Sequence, residues 1–176
     1  MKDKYDFLKF ARERYSLRAF SEKKVEAADL EAVLEAGRLA PTAHNDQPQR
    51  ILVIQSEENL AKLKKCTMSH YNAPAALLVC ADKTACWKRA YDGKLSADID
   101  ASIVATQMML QAQSLGLGTT WVMHFDPVAM REEFAVPDNY EMTALLVLGY
   151  PAEGAQPSAR HTERKPLGET VFYDEF

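Results

Sequence analysis

One stretch of this chain limits the fold more than any other. From Ser96 to Leu115 the residues are mostly apolar or small, with Ile99, Ile103, Val104, Met108 and Leu110 on different sides, and no charge follows Asp100. A helix opened by Ser96 or Asp98 and written this way is buried on most of its sides. Gly116 is a plausible stop. The rest of the chain must therefore supply layers that cover it.

Candidate layers are legible on both sides. Ala75–Ala81 is an apolar strand with no polar face, which predicts a central position in a sheet. Ile51–Ile54, Thr119–Met123 and Met142–Leu148 read as further strands. Residues 4–14 place Tyr5, Leu8, Ala11 and Tyr15 at helical spacing and predict a first helix ending near Arg14. Residues 27–39 repeat the pattern with Leu30, Val33, Leu34 and Gly37, and that helix stops before Pro41. Ser56 can cap a helix running to Lys65. Asp126-Pro127 joins a side-chain cap to a proline at the first helical position. Thr42–Gln49 is a polar loop, and residues 82–97, with Trp87 and Tyr91, read as irregular. Alternating helices and strands predict a mixed α and β class.

The chain's 176 residues fit one domain, residues 1–176. Beyond Pro151 the composition turns polar and proline-rich, ending in the β-prone Val171-Phe172-Tyr173. This tail, about residues 151–176, has little to fold onto alone and needs a surface in this subunit or a second one.

Several functions are disfavoured. A net charge of −4 argues against a nucleic-acid binder working through a basic face. Cys66, Cys80 and Cys86 form no C-x-x-C pair, so neither a disulfide framework nor a zinc site follows. Cys80 reads as a small core hydrophobe. His44, His70, His124 and His161 are scattered, which predicts no metal site. No apolar run approaches the roughly 20 residues that span a bilayer. Met1–Phe10 alternates charges and lacks the apolar core of a signal peptide, so the expected compartment is the cytoplasm. The phosphate loop, serine elbow and Cys–His motifs are missing, and nothing supports hydrolysis or phosphoryl transfer.

Four clusters remain. Arg14-Tyr15-Ser16-Leu17-Arg18 offers two guanidinium forks and a hydroxyl, which suits a phosphate, although solvated arginines at a helix end are also common. Pro41-Thr42-Ala43-His44-Asn45-Asp46-Gln47-Pro48 combines small residues with amides that suit a heterocycle's edge, or is an ordinary connector. Gly116-Leu117-Gly118 precedes Thr119–His124. A helix before and a strand after is the wrong order for a dinucleotide fingerprint, and a tight turn explains the glycines. Arg160, His161, Arg164 and Lys165 form a basic patch or a solvated tail.

In combination and order, these clusters resemble the FMN-dependent nitroreductase family. Arg14-x-Ser16-x-Arg18-x-Phe20 resembles its N-terminal motif, and Ala40-Pro41-Thr42-Ala43-x-Asn45-x-Gln47-Pro48 its second. Leu115-Gly116-Leu117-Gly118 with Trp121 and Phe125-Asp126 resembles the third. Leu148-Gly149-Tyr150-Pro151, then Arg164-x-Pro166-Leu167, resembles the C-terminal pattern.

The resemblance implies an α+β fold: a central, mainly antiparallel mixed sheet flanked by helices, in an intertwined homodimer with C-terminal tail exchange. It implies FMN at the dimer interface. Arg14, Ser16 and Arg164 would take the phosphate, with Tyr15 and Lys165 beside them. Arg18 would reach the N1/C2=O edge, where a cation stabilises reduced flavin. Pro41, Thr42, Ala43, Asn45 and Gln47 would come from the second chain. Trp121 and Val122 would line the ring, and the N–H groups of Met123 and His124 would reach N5 and O4. The His124 ring is a candidate proton donor.

Two positions depart from the family pattern: Gln49 stands where an aromatic often follows Gln-Pro, and His124 where glycine is frequent. Residues 82–97, with Trp87, Lys88, Arg89 and Tyr91, would form a substrate lid. The implied activity is ping-pong electron transfer from NADPH or NADH through FMN to a small organic acceptor: a nitroaromatic, quinone or enone. Same-fold dehalogenase, dehydrogenating-oxidase or flavin-cleaving chemistry stays open, as does a non-catalytic FMN-binding redox sensor.

Overall fold

The computed structural model describes residues 6–176. Lys4 and Tyr5 of the first expected helix, and the beginning of the Met1–Phe10 segment, lie outside the described residues.

Four strands form one sheet: β1 (Gln49–Ile54), β2 (Ala75–Asp82), β3 (Gly118–Val122) and β4 (Tyr140–Gly149). Their order is β1-β2-β4-β3, and each neighbouring pair is antiparallel. The described residues also hold the helices α1 (Phe7–Glu13), α2 (Ala27–Arg38), α3 (Glu57–Cys66), α4 (Ala97–Ser114) and α5 (Pro127–Phe134).

β2 explains its own composition. Ala75, Leu77, Val79 and Ala81 enter a core shared with α2 and α4. Ala76, Leu78 and Cys80 enter a second core shared with α3 and α5. Successive side chains of a strand point to opposite faces, so a strand covered by helices on both faces has no polar side. The fold is thus an α+β sandwich of three layers.

Against the sheet, α4 buries Ala101, Val104, Ala105, Met108 and Ala112 completely. Gly37 lets α2 cross it closely, since a Cβ there would fall 2.8 Å from Met108 Cγ. The far side of α4 differs from the sequence expectation. Ile99 and Ile103 stay exposed and line an open groove with Leu110 and Pro41, because among the described residues no other segment covers them.

The helix ends follow the expected chemistry. Ser56 accepts from the Asn59 N–H at 3.2 Å at the start of α3. After α4, Gly116 adopts φ +77°, its N–H bonds Gln113 O, and the Leu117 N–H bonds Ala112 O. That pair of bonds is a Schellman stop, which glycine suits because its φ is positive.

Residues 82–97 are more ordered than the sequence predicts. Lys88 bridges Leu95, the Arg89 N–H reaches Lys94 O at 2.9 Å, and the Ser96 N–H reaches Trp87 O at 2.9 Å. Asp92 pairs with Arg89 at 2.7 Å through Nε, and Gly93 supplies φ +76° for the turn. The result is a small hairpin with Tyr91 exposed at its tip.

Candidate functional site

Where α1 ends, the chain becomes a strap laid along the sheet. Arg14 has extended ψ (124°), Ser16 bridges Thr119 in parallel, and the Leu17 N–H donates to Thr119 O at 3.0 Å. The Thr120 hydroxyl donates to Leu17 O. Further on, the Ser21 N–H reaches Tyr150 O at 2.9 Å, and the Ala152 N–H reaches Ala19 O at 3.0 Å. This parallel bridge lies outside the four strands, so the sheet itself is antiparallel and not mixed as the sequence resemblance implied.

Along the strap Leu17 is buried, while Ser16 and Arg18 are its extended neighbours and remain accessible. Arg18 Nη1 donates to Ser16 O at 3.3 Å, and its guanidinium carbon stands 6.0 Å from the Tyr71 ring centroid. Tyr71 and Asn72 both have left-handed backbones, φ 50° and 51°. The sequence reading missed Tyr71, although the following asparagine, tolerant of positive φ, hints at an unusual turn.

The tail meets the strap. The Ser158 hydroxyl caps a 3-10 turn over Ala159–Thr162 by accepting from the Arg160 N–H at 3.2 Å. His161 sets its ring edge-on to Tyr15, with centroids 6.1 Å apart. Arg164 donates to the carbonyls of His161 (2.7 Å) and Glu163 (2.6 Å). Half-burial, and then the nearby charge of Arg164, hold the Arg14 guanidinium below the ordinary arginine range. Among the described residues neither arginine makes an ion pair, and the charge of Arg164 is near enough to bear on Arg14. Such a pair fits a doubly charged oxyanion, whose charge-assisted bonds would offset the repulsion. Lys165 is instead drawn to Glu169 at 3.7 Å, on the exposed side.

At the end of β3, Trp121 packs half-buried on the α2/α4 core, while Val122 turns into the α3/α5 core. The Phe125 N–H takes Met123 O at 3.0 Å. Across the trans peptide the His124 N–H must then point the other way. His124 O accepts from Thr67 Oγ1 at 2.5 Å, and the His124 residue is exposed.

The loop Pro41–Pro48 stands apart from the strap. Its Ala43 N–H donates to Asp100 Oδ1 of α4 at 2.8 Å. The Gln47 N–H returns to Thr42 Oγ1 at 3.1 Å, and Gln47 Nε2 to Asn45 O at 3.3 Å. His44, Asn45 and Gln47 take φ of 55°, 58° and 50° without glycine. Among the described residues, the loop's hydrogen bonds run within itself and to α4, β1 and β2, and not to Arg14, Ser16 or Arg18. Within one chain, then, Arg14, Tyr15, Ser16, Arg18 and Arg164 gather along the strap and its tail. Pro41, Thr42, Ala43, Asn45 and Gln47 sit beside the open face of α4.

Among the described residues no group of three His, Cys, Asp or Glu side chains is placed to hold a metal ion. Nor is any helix among them long and apolar enough to cross a membrane.

The fold is an α+β domain with Arg14 on the strap that bridges its edge strand β3 and Arg164 near enough to bear on it. The chain belongs to the nitroreductase family, whose model matches residues 11–150. A nitroreductase family protein of Clostridium difficile 630 is 46% identical, with a TM-score of 0.91 over 97% of this chain and 99% of that one. An FMN-dependent nitroreductase of Clostridium difficile R20291 is 27% identical, with a TM-score of 0.78 over 96% and 99%. A proposed NADH dehydrogenase/NAD(P)H nitroreductase of Archaeoglobus fulgidus is 33% identical over 153 residues, 83% of this chain and 86% of that protein.

Proposed function

We propose that this protein is an FMN-dependent oxidoreductase that takes electrons from NADPH or NADH and passes them to a small organic acceptor, working as a homodimer. The observation that carries this reading is the convergence of Arg14 and Arg164, with no ion-pair partner among the described residues, in a nitroreductase-family chain. A family relative that is FMN-dependent supports the choice of anion.

Arg14, Ser16 and Arg164 would hold the FMN phosphate, with Tyr15 at its border; Lys165, drawn to Glu169, would have to leave that pairing to join them. Arg18 would carry its positive charge to the pyrimidine edge of the ring system. Trp121 would form the wall of the site, Val122 would contribute its backbone alone because its side chain is buried in the α3/α5 core, and the N–H groups of Met123 and His124 would present donors. Pro41, Thr42, Ala43, Asn45 and Gln47 would close the site from a second copy of the chain. The exposed Ile99 and Ile103 beside Pro41 support that reading, because a second copy would cover them. The exposed Val171, Phe172 and Tyr173 of the tail offer that copy a further apolar contact. Bound FMN would supply the electron-transfer chemistry. The protein would bind it, orient it and set the charge around it.

The test is a visible absorption spectrum of the purified protein, taken anaerobically before and after NADPH and then NADH. A flavin spectrum that bleaches promptly, and recovers on adding a quinone or nitroaromatic, supports the proposal. A flavin that neither nicotinamide reduces points to the same-fold oxidase, dehalogenase or sensor readings. A colourless protein that takes up no added FMN overturns it.

A further inference from the structure

We infer that Asp100 is a positioning residue that holds the Pro41–Pro48 loop in the shape in which it meets the cofactor. This rests on the FMN reading above.

Asp100 lies in the first turns of α4 and is 1% exposed. A buried carboxyl is costly unless its oxygens are used, and both are. Oδ1 accepts the Ala43 N–H at 2.8 Å, 57 residues away in the chain, and Oδ2 accepts the Ser96 hydroxyl at 2.6 Å. Ser96 occupies the cap position of α4 but makes no side-chain capping bond; its hydroxyl is spent on Asp100. The carboxyl therefore serves the loop rather than only its own helix.

The loop needs such a tie. Within the four residues after Ala43, three non-glycine residues, His44, Asn45 and Gln47, hold left-handed backbones. Strain of that kind persists only where surrounding structure over-determines it. At the far end, Pro48 O accepts the Asp82 N–H of β2 at 2.8 Å. Asp100 is the matching tie at the near end, anchoring the loop to the most buried helix of the fold. The Ser96 N–H also fastens Trp87 O, so the base of the Lys88–Leu95 hairpin is held at the same point.

The test compares Asp100→Ala, Asp100→Asn and Arg14→Ala with wild type. Three quantities are read: FMN affinity of the apoprotein, visible circular dichroism of the bound flavin, and apoprotein melting. Asparagine keeps an oxygen for Ala43, while its amide N–H can donate to Ser96 Oγ. The expected result is FMN binding weakened about tenfold or more in Asp100→Ala, the effect of losing one hydrogen bond, with altered flavin dichroism. Asp100→Asn should restore both. If Asp100→Ala does not fold, Asp100→Ser is read in the same way, because the shorter hydroxyl stays near Ser96 and cannot reach Ala43. Wild-type affinity and dichroism in the alanine or serine variant overturn the inference whatever the melting shows. So does an asparagine variant as weak as alanine. FMN binding in wild type that Arg14→Ala weakens keeps the cofactor reading standing in either case. Failure of wild type to bind FMN removes both readings.

Discussion

Gly118 and Leu17 stand so close that a Cβ on the glycine would fall 2.3 Å from Leu17 Cδ2 and 2.7 Å from its Cβ. Leu17 is 1% exposed and fixed by hydrogen bonds on both sides of its peptide, so it has nowhere to go. Glycine at 118 is what allows the strap to lie flat on β3. Gly118→Ala should destabilise the fold by about 1–3 kcal/mol, the usual cost of overpacking. It should also weaken FMN binding, because Ser16 and Arg18 ride on the displaced strap. Urea unfolding of Gly118→Ala against Gly168→Ala checks this. Gly168 has open space around its Cβ position, so its variant should unfold near wild type.

Arg14→Ala tests the anion cradle. Burial and Arg164 work against the charged form of Arg14, so its loss relieves a repulsion in the empty protein. The apoprotein should therefore melt no lower than wild type. FMN affinity should fall by about 1.5–3 kcal/mol, the worth of one charge-assisted bond. Sulfate should raise the melting point of the wild-type apoprotein and have less effect on the variant. Unchanged FMN affinity would remove Arg14 from the phosphate site.

How much of this was legible in the sequence differs by element. β2 announced its central place because seven consecutive residues, Ala75–Ala81, are all buried. The starts of α3 and α5 were legible because Ser56 and Asp126 act on neighbouring N–H groups, an interaction as local as the pattern that predicts it. The arginine cluster was visible as composition, but Arg164, 150 residues away, was joined to it only by the order of the family motifs, because no local pattern encodes that approach. Asp100 was given no role, since its partner Ala43 lies 57 residues away in the chain. Residues 82–97 were read as irregular although Asp92-Gly93 is a turn signal, because the flanking residues lack alternation. The open face of α4 was read as buried, and among the described residues no segment covers it.

The cap on α5 can be tested alone. Asp126 Oδ1 accepts the N–H groups of Val128 (2.9 Å) and Ala129 (3.2 Å). Met130, one turn on, is fully buried, so fraying of α5 would expose core and register as global instability. Asp126→Ala should cost about 1 kcal/mol, and Asp126→Ser, which keeps a capping oxygen, much less. Denaturant midpoints of the two variants decide it. Equal midpoints would mean that the cap carries no weight and that the Asp126 N–H, held by Cys66 O at 2.8 Å, fixes the start of the helix alone.

Cys80 gives the fold an alkaline limit. Burial between the sheet and α5 pushes its thiol from about 9 up to about 11. Above pH 9 the unfolded chain releases this proton while the folded one keeps it. The native state then binds more protons than the unfolded state, so stability falls as pH rises between about 9 and 11. The loss should approach about 2–3 kcal/mol at the upper end, at 1.36 kcal/mol per unit. Other groups titrate in the same window, so the measurement is a difference: urea unfolding at intervals from pH 7 to 11 for wild type and Cys80→Ala. The variant will be less stable at pH 7, because it leaves a small void in the core. Its stability should nevertheless decline less steeply above pH 9, and the two curves should converge. Parallel curves would mean that the thiol titrates alike in both states, and that burial at this position is not what sets its acidity.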